Sequence, residues 1–336
     1  MSRYAKQVLF RPLGKEGQER LRASRVTVVG LGALGSVLAN HLARAGVGFL
    51  RLCDRDFVEL DNLQRQVLYD EDDVRASLPK AAAAAAKLAR INSEVALDPR
   101  VTDVNHANAE ELARDVDLVL DGTDNFETRF VLNDACVKLG RPWVYGGCVG
   151  SYGMAMAVLP GEGPCFACLL GERPAPGTSP TCDTAGVLNT AVAVVASLQA
   201  NEGLKILLGK REALAGGLQT LDLWTNSFQH VKVPRSASCE VCVGRKFRHL
   251  EASPSGAASL CGRNAVQVTP GPGAKLDLAE TERRLAPLGV VRRNAYLLKF
   301  AADGCELTIF PDARAIIQGT EDLARARSLY ARYVGS

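Results

Sequence analysis

The sequence predicts an α/β protein, with a mostly parallel sheet covered by helices on both faces, continued by antiparallel strands and followed by a small C-terminal α/β domain. Two observations carry this reading. Short β-branched runs alternate with helix-spaced segments from residue 25 to about 150, and a glycine turn joins the first run to the first helix. Beyond residue 150, strand-like runs and one long apolar helix replace the alternation.

Residues 1–24, rich in charge (Arg3, Lys6, Arg11, Lys15, Glu16, Glu19, Arg20, Arg22), read as a helical arm. The spacing then predicts strand 25–29, helix 34–45, strand 49–53, an irregular segment 54–79, helix 80–91 and strand 95–101. Helix 108–114, strand 117–121, helix 126–139 and strand 142–146 complete the alternation. A strand at 154–159, a cysteine-rich loop, an apolar helix 185–208 and strands 218–223 and 229–233 follow. Ala252-Ser253-Pro254-Ser255-Gly256 and its neighbours read as a linker over 251–260. The remainder, 261–336, reads as strands near 264–269, 295–301, 305–310 and 313–318 with helices near 277–287 and 321–333; Asp303-Gly304 is a hairpin turn signal.

Bulk properties narrow the function. A net charge of +3 over 336 residues is too small to argue for nucleic acid or an anionic membrane as a general partner, and neither is expected. No apolar leader is visible, and the segment from Ala185 to Ala200 is interrupted by Asn189, Thr190, Ser197 and Gln199, so it reads as a buried helix rather than a membrane span. Ten cysteines without a secretory signal point to a reducing, cytoplasmic setting, and to metal or reactive thiols rather than disulfides. The four histidines form no triad or ligand pattern.

Gly30-Leu31-Gly32-Ala33-Leu34-Gly35 follows the run Arg25-Val26-Thr27-Val28-Val29 and opens a helix, the Rossmann-like arrangement in which backbone N–H groups meet a phosphate. Asp54, at the end of the next strand, stands where a ribose-binding carboxylate belongs. These two features alone suggest a nicotinamide dinucleotide. The residues that follow suit a triphosphate better: Asn62, Gln64, Arg65 and Lys80 bring amide donors and two cations to the segment over the nucleotide. Asp124, after the strand ending in Asp121-Gly122-Thr123, is placed to hold Mg²⁺ on phosphates, with helix capping by Asp124 or Asn125 as the alternative. Cys165-Phe166-Ala167-Cys168 and Cys239-Glu240-Val241-Cys242 match a closed four-thiolate zinc site better than a redox pair. Cys182, before the apolar helix, reads as either a reactive thiol or a bystander; Cys53, Cys136, Cys148, Cys261 and Cys305 read as core or incidental.

Together these residues resemble the HesA/MoeB/ThiF family, relatives of ubiquitin-activating enzymes. The likeness spans about residues 3–245 and also includes Arg3-Tyr4 with Gln7, Ala45-Gly46-Val47-Gly48, Asn62-Leu63-Gln64-Arg65-Gln66, Pro79-Lys80, Ala185-Gly186-Val187 and Ser197-Leu198-Gln199-Ala200. The resemblance implies ATP-dependent adenylation of the C-terminal glycine of a small ubiquitin-like sulfur carrier, of thiamin or molybdopterin type, by a homodimer in which residues 1–250 form the ATP-binding adenylyltransferase domain. It implies that Gly30, Gly32 and Ala33 line the phosphate loop, with Asn125 also counted in the ATP site. Asp54 then holds the ribose, Asn62, Arg65 and Lys80 contact phosphates, and Asp124 binds Mg²⁺. Cys182 falls where some members carry a cysteine used in an acyl-persulfide or thioester step.

The chain departs from the family pattern at two positions. Lys6 stands where members usually carry an arginine thought to reach the ATP of the partner subunit, and Ala33 replaces a common third glycine. The lysine also motivates a second reading, a catalytically weak scaffold that binds a ubiquitin-like protein. Residues 261–336 show no rhodanese-like active loop and read as an accessory domain that recruits the carrier or a sulfur donor.

Overall fold

A computed structural model of the chain describes residues 3–174, 182–251, 256–260, 264–270 and 273–335, with backbone alone at 182–183 and 257–260. The chain divides into two compact units, Met1–Ala252 and Ser253–Ser336.

The first unit begins with two short helices, α1 Ala5–Val8 and α2 Gly14–Ala23, where one helical arm was expected. Pro12 and Gly14, the latter at φ +63°, break the arm between them. The arm is docked by its own polar residues: Gln7 and Gln18 both donate to Ala45 O (2.8 and 3.0 Å), and Tyr4 is buried against Gly46. The main sheet follows, with β1 Arg25–Val29, α3 Ala33–Ala45, β2 Phe49–Asp54, α4 Glu71–Arg75, α5 Lys80–Ile91, β3 Ala96–Val101, α6 Ala109–Arg114, β4 Leu118–Asp121, α7 Phe126–Leu139 and β5 Trp143–Val149. Then come β6 Tyr152–Val158, α8 Phe166–Leu170, α9 Cys182–Ala185, α10 Asn189–Leu207, β7 Leu218–Asp222, β8 Ser227–Val231 and α11 Arg248–Glu251.

The strand order is β3-β2-β1-β4-β5-β6-β7-β8, parallel through β5 and antiparallel from there to the edge. This is the mostly parallel sheet with an antiparallel continuation that the sequence predicted. Alternate residues of the central strands supply two cores: Val26, Val28, Leu118, Leu120 and Val144 meet α3, α5 and α10, while Val29, Val119, Trp143 and Tyr145 meet α6 and α7. The chain reverses direction across the sheet between β1 and β4, and the crevice at their carboxyl ends is where such sheets bind ligands.

The single apolar helix expected at 185–208 is split. Gly186 adopts φ +71°, and the segment behind it pairs with Gly150, which donates to Gly186 O (2.9 Å) and accepts from Leu188 N–H (2.8 Å). Among the described residues no helix is long and apolar enough to cross a membrane.

The second unit holds β9 Ala257–Leu260, β10 Ala265–Val268, α12 Leu278–Leu285, β11 Val290–Arg293, β12 Leu298–Ala302, β13 Cys305–Ile309, β14 Ala315–Gln318 and α13 Leu323–Tyr333. Its sheet, in the order β11-β12-β13-β14-β10-β9, is antiparallel throughout and packs one face on α12 and α13. Residues 257–260, inside the stretch read as a linker at 251–260, are instead an edge strand paired with β10, and residues 252–255 of that stretch lie outside the described residues. The β11 strand also escaped the sequence reading, because Val290-Val291-Arg292-Arg293 is an edge strand with three of its four residues exposed and so lacks an apolar alternation. Asp303 and Gly304 form the hairpin turn, both at positive φ (+52° and +72°).

Candidate functional site

The glycine turn is a close backbone junction. Gly30 sits at φ +79°, and its N–H donates to Cys53 O (2.8 Å) while Gly122 N–H donates to Val29 O (2.7 Å). A Cβ on Gly35 would lie 1.8 Å from Gly30 O, and one on Gly122 would lie 2.5 Å from Gly30 O and 2.8 Å from Gly35 Cα. Three glycines therefore lock the turn after β1 to the loop after β4, a contact that no side chain can enter. Gly32 is the N-cap of α3 and makes no side-chain cap, which leaves first-turn N–H groups at the positive end of the helix for an anion. Ala33 opens the helix itself.

Asp54 is buried, and both of its oxygens already accept backbone bonds, from Leu31 N–H (2.6 Å) and Asp56 N–H (2.7 Å). Each oxygen keeps a second lone pair for a ligand hydroxyl. Burial pushes its carboxyl above the ordinary range, while the Lys80 charge pulls the other way. Lys80 begins α5, is buried, and places Nζ 3.6 Å from Asp56 Oδ2. Asn62 is also buried, but its amide serves the local turn: Nδ2 donates to Asp61 Oδ1 (2.8 Å) and Oδ1 accepts from Glu59 N–H (3.2 Å). Arg65 is half-buried with Nη1 on Asp61 O (2.6 Å), and Gln64 is exposed. Gln66 is 3% exposed beside Gly32, and its Oε1 has no hydrogen-bond partner among the described residues.

At the end of β4 two acids have different surroundings. Asp121 is fully buried; Oδ1 accepts from Thr123 N–H (2.9 Å) and Thr123 Oγ1 (2.6 Å), and Oδ2 pairs with Arg129 Nε at 3.3 Å. The Arg129 Nη2 donates to Thr123 O (2.6 Å) and Gly146 O (3.1 Å), and Gln199 Nε2 donates to Asp121 O (2.8 Å). Thr123 is thus held at its N–H, its C=O and its hydroxyl, and the next residue, Asp124, is displayed to solvent. Asn125 caps α7 by accepting from Thr128 N–H (2.8 Å), so of the two capping residues considered from sequence it is Asn125 that caps. Arg129 was not legible as a site residue. Its signal was a cation in the first turn of a helix, where the dipole disfavours one unless a buried acid compensates.

The four cysteines of the two CxxC pairs converge. All four Sγ atoms lie within 4.8 Å of one another, with Cys165–Cys239 at 3.6 Å, Cys168–Cys242 at 3.5 Å and Cys165–Cys168 at 3.9 Å. A tetrahedron with metal–sulfur bonds of about 2.3 Å has edges of about 3.8 Å, whereas a disulfide needs about 2.05 Å. The geometry fits four thiolates around one metal ion. The cluster ties the loop after β6 to the segment after β8, and Phe166 beside it packs on Phe130, Trp143 and Tyr145. Cys182 starts α9, but its side chain lies outside the described residues; Lys6 is exposed on α1.

Beneath the cluster, α7 contributes Asn133, which accepts from Phe166 N–H (2.9 Å), and Asp134, which accepts from His249 N–H (3.0 Å). Burial pushes the Asp134 carboxyl up to about 6, from an ordinary value of 3.8. The folded state therefore binds this proton more tightly than the unfolded chain, and the stabilisation is full below about pH 4 and lost as pH rises through about 6. Asp134→Asn should remove this dependence, so the stability of the variant relative to the parent should rise by about 2 kcal/mol between pH 4.5 and 7.5. Chemical denaturation of both proteins at those pH values checks it; a constant difference sinks it.

A model of the ThiF family matches residues 4–241. The chain is 44% identical over 337 residues to a Bacillus subtilis protein named sulfur carrier protein ThiS adenylyltransferase, covering 99% of each. It is 42% identical over 247 residues to a Thermus thermophilus sulfur carrier protein adenylyltransferase, covering 72% of this chain and 90% of that one. Among solved structures, E. coli MccB with ATP superposes with a TM-score of 0.62 at 23% identity, covering 72% of this chain and 74% of that one, a likeness of fold.

Proposed function

This chain belongs to the ThiF family, and we propose that it adenylates the C-terminal glycine of a small ubiquitin-like sulfur carrier of thiamin or molybdopterin type, using ATP and releasing pyrophosphate. It is a sulfur-carrier protein adenylyltransferase. The observation that carries this reading is the 44% identity, over essentially the whole of both chains, to a protein of that name.

The reaction makes modest demands. A carrier carboxylate oxygen attacks the α-phosphorus, an acyl–phosphate bond forms, the bond to the bridging oxygen breaks, and pyrophosphate leaves with the electron pair. The nucleophile is already ionised at neutral pH, so no general base is needed; alignment and stabilisation of charge do the catalysis. The site's stock of cations, amides and carboxylates, with no histidine, suits that task.

In this reading Gly32, Ala33 and the head of α3 receive phosphate oxygens, with Gly30 shaping the turn, and Asp54 takes the ribose. Arg65 and Lys80 neutralise phosphates, with Asn62, Gln64 and Asn125 bordering the nucleotide. Asp124 is the fitting Mg²⁺ ligand, since it is exposed while Asp121 is buried against Arg129. Bound there, Mg²⁺ would neutralise phosphate charge. Cys165, Cys168, Cys239 and Cys242 would hold a structural Zn²⁺. We further assign Lys6 to the ATP of a partner subunit in a homodimer, Cys182 to a covalent step with the carrier, the C-terminal unit to recruitment of the carrier or a sulfur donor, and the protein to the cytoplasm.

The test is exchange of labelled pyrophosphate into ATP by the full chain. Label should enter ATP only when a small protein ending in Gly-Gly is present, and not with the same protein lacking its last glycine. Tight carrier binding without exchange overturns the enzyme reading in favour of a scaffold.

A further inference from the structure

Tyr69 lies between β2 and α5, just ahead of α4, in a segment that the sequence reading took as irregular and that holds this short helix. The base of that segment is closed where Phe57 bridges Pro79 and Val58 N–H donates to Leu78 O (2.9 Å), and its middle folds back to the glycine turn. There the buried Tyr69 hydroxyl lies 2.8 Å from Leu31 O and 3.3 Å from Lys80 O. Burial, with the Asp54 and Asp73 carboxylates nearby, raises the phenol well above its ordinary range, so it stays protonated and serves as a donor.

This one hydroxyl meets both elements assigned above to the phosphates. Leu31 stands between Gly30 and Gly32, where the backbone is intrinsically loose. Its N–H is held by Asp54 and its C=O by Tyr69, so both sides of the residue are fixed before any ligand arrives. The second carbonyl the hydroxyl reaches belongs to Lys80, the first residue of α5. The neighbouring loop follows the same principle, since Thr123 is held at its N–H by Asp121 and at its C=O by Arg129. There both holds belong to a buried ion pair; at Leu31 the carbonyl is held by a hydroxyl that can be removed without stranding a charge.

We propose that Tyr69 is a positioning residue for ATP, its hydroxyl holding the Leu31 turn and the start of α5 in the conformation that receives the phosphates. Ordering is thereby done during folding rather than at binding, which favours affinity for the nucleotide and leaves the chemical step untouched. The inference rests on the reading of this turn and Lys80 as phosphate-binding elements.

Tyr69→Phe keeps the ring and removes the bond. In the full chain it should raise the Kd for ATP by calorimetry, and the KM for ATP in carrier-dependent exchange, about 10-fold, the worth of roughly one hydrogen bond. The kcat at saturating ATP and the KM for the carrier should stay within about twofold. Amide hydrogen exchange in residues 30–35 should quicken. Tyr330→Phe is the control: it deletes a buried hydroxyl bond to Ala313 O (2.7 Å) in the C-terminal unit and should leave ATP binding unchanged. An ATP Kd for Tyr69→Phe within about twofold of the parent, or an equal rise in Tyr330→Phe, overturns the proposal. If the parent binds ATP but shows no carrier-dependent exchange, the adenylation reading fails, and the ATP-binding arm still decides the role of Tyr69.

Discussion

Asp124→Ala is expected to lower carrier-dependent pyrophosphate exchange by about 10³-fold or more while leaving the protein folded. The first half follows from the proposed role: a carboxylate exposed at the carboxyl end of β4, beside the glycine junction, would hold the Mg²⁺ that neutralises charge on the leaving pyrophosphate. The second half follows from what holds the loop. Thr123 is fixed by Asp121 and Arg129, and α7 is capped by Asn125, so these anchors of the loop stay in place when the Asp124 side chain is removed. Asp121→Ala makes the contrast. It leaves Arg129 buried without its counter-ion and should cost about 3–5 kcal/mol of stability. Exchange rates and thermal denaturation of the two variants separate the roles. Retained turnover in Asp124→Ala would refute the assignment of Mg²⁺ to this residue.

Cys239→Ala is the second variant with a large expected effect. Removing one of four converging thiols should abolish tight zinc binding and cost about 3 kcal/mol or more, because metal binding at such a site is folding free energy. The loss should be felt beyond the cluster: Phe166, adjacent to Cys165, is wholly buried within the aromatic group formed with Phe130, Trp143 and Tyr145. Metal analysis of the purified variant, alongside its melting temperature, provides the check. Full metal occupancy in Cys239→Ala counts against a four-thiolate site.

Much of the fold was legible because it rests on local periodicity. Strand 25–29, helix 80–91 and helix 126–139 were placed at their observed bounds, and the parallel sheet followed from their alternation. The misreadings arose where a single residue or a distant partner decides. Gly186 looks like part of an apolar helix, yet it breaks that helix because Gly150 offers a backbone pairing that no periodicity reveals. Residues 257–260 have the composition of a linker and become a strand only because β10 lies beside them. The cysteine cluster was legible since the spacing within each pair is local, and the fold had only to bring the two pairs together.

The sequence by itself determined the class of the protein: a glycine turn at the head of a helix, an acid ending the next strand, and a set of amides and cations suited to a triphosphate. Each is a short-range pattern, written in residues a few positions apart. Only the tertiary structure decided how these groups are used. It buried Asp121 against Arg129 and left Asp124 exposed, although the two stand three positions apart at the end of one strand. It set Lys80 beside Asp56, and put the Tyr69 hydroxyl between the glycine turn and the start of α5. The physical reason is that burial and hydrogen-bond partners depend on what lies across the sheet or under the loop. Those neighbours come from parts of the chain whose distance from the site no local pattern can encode.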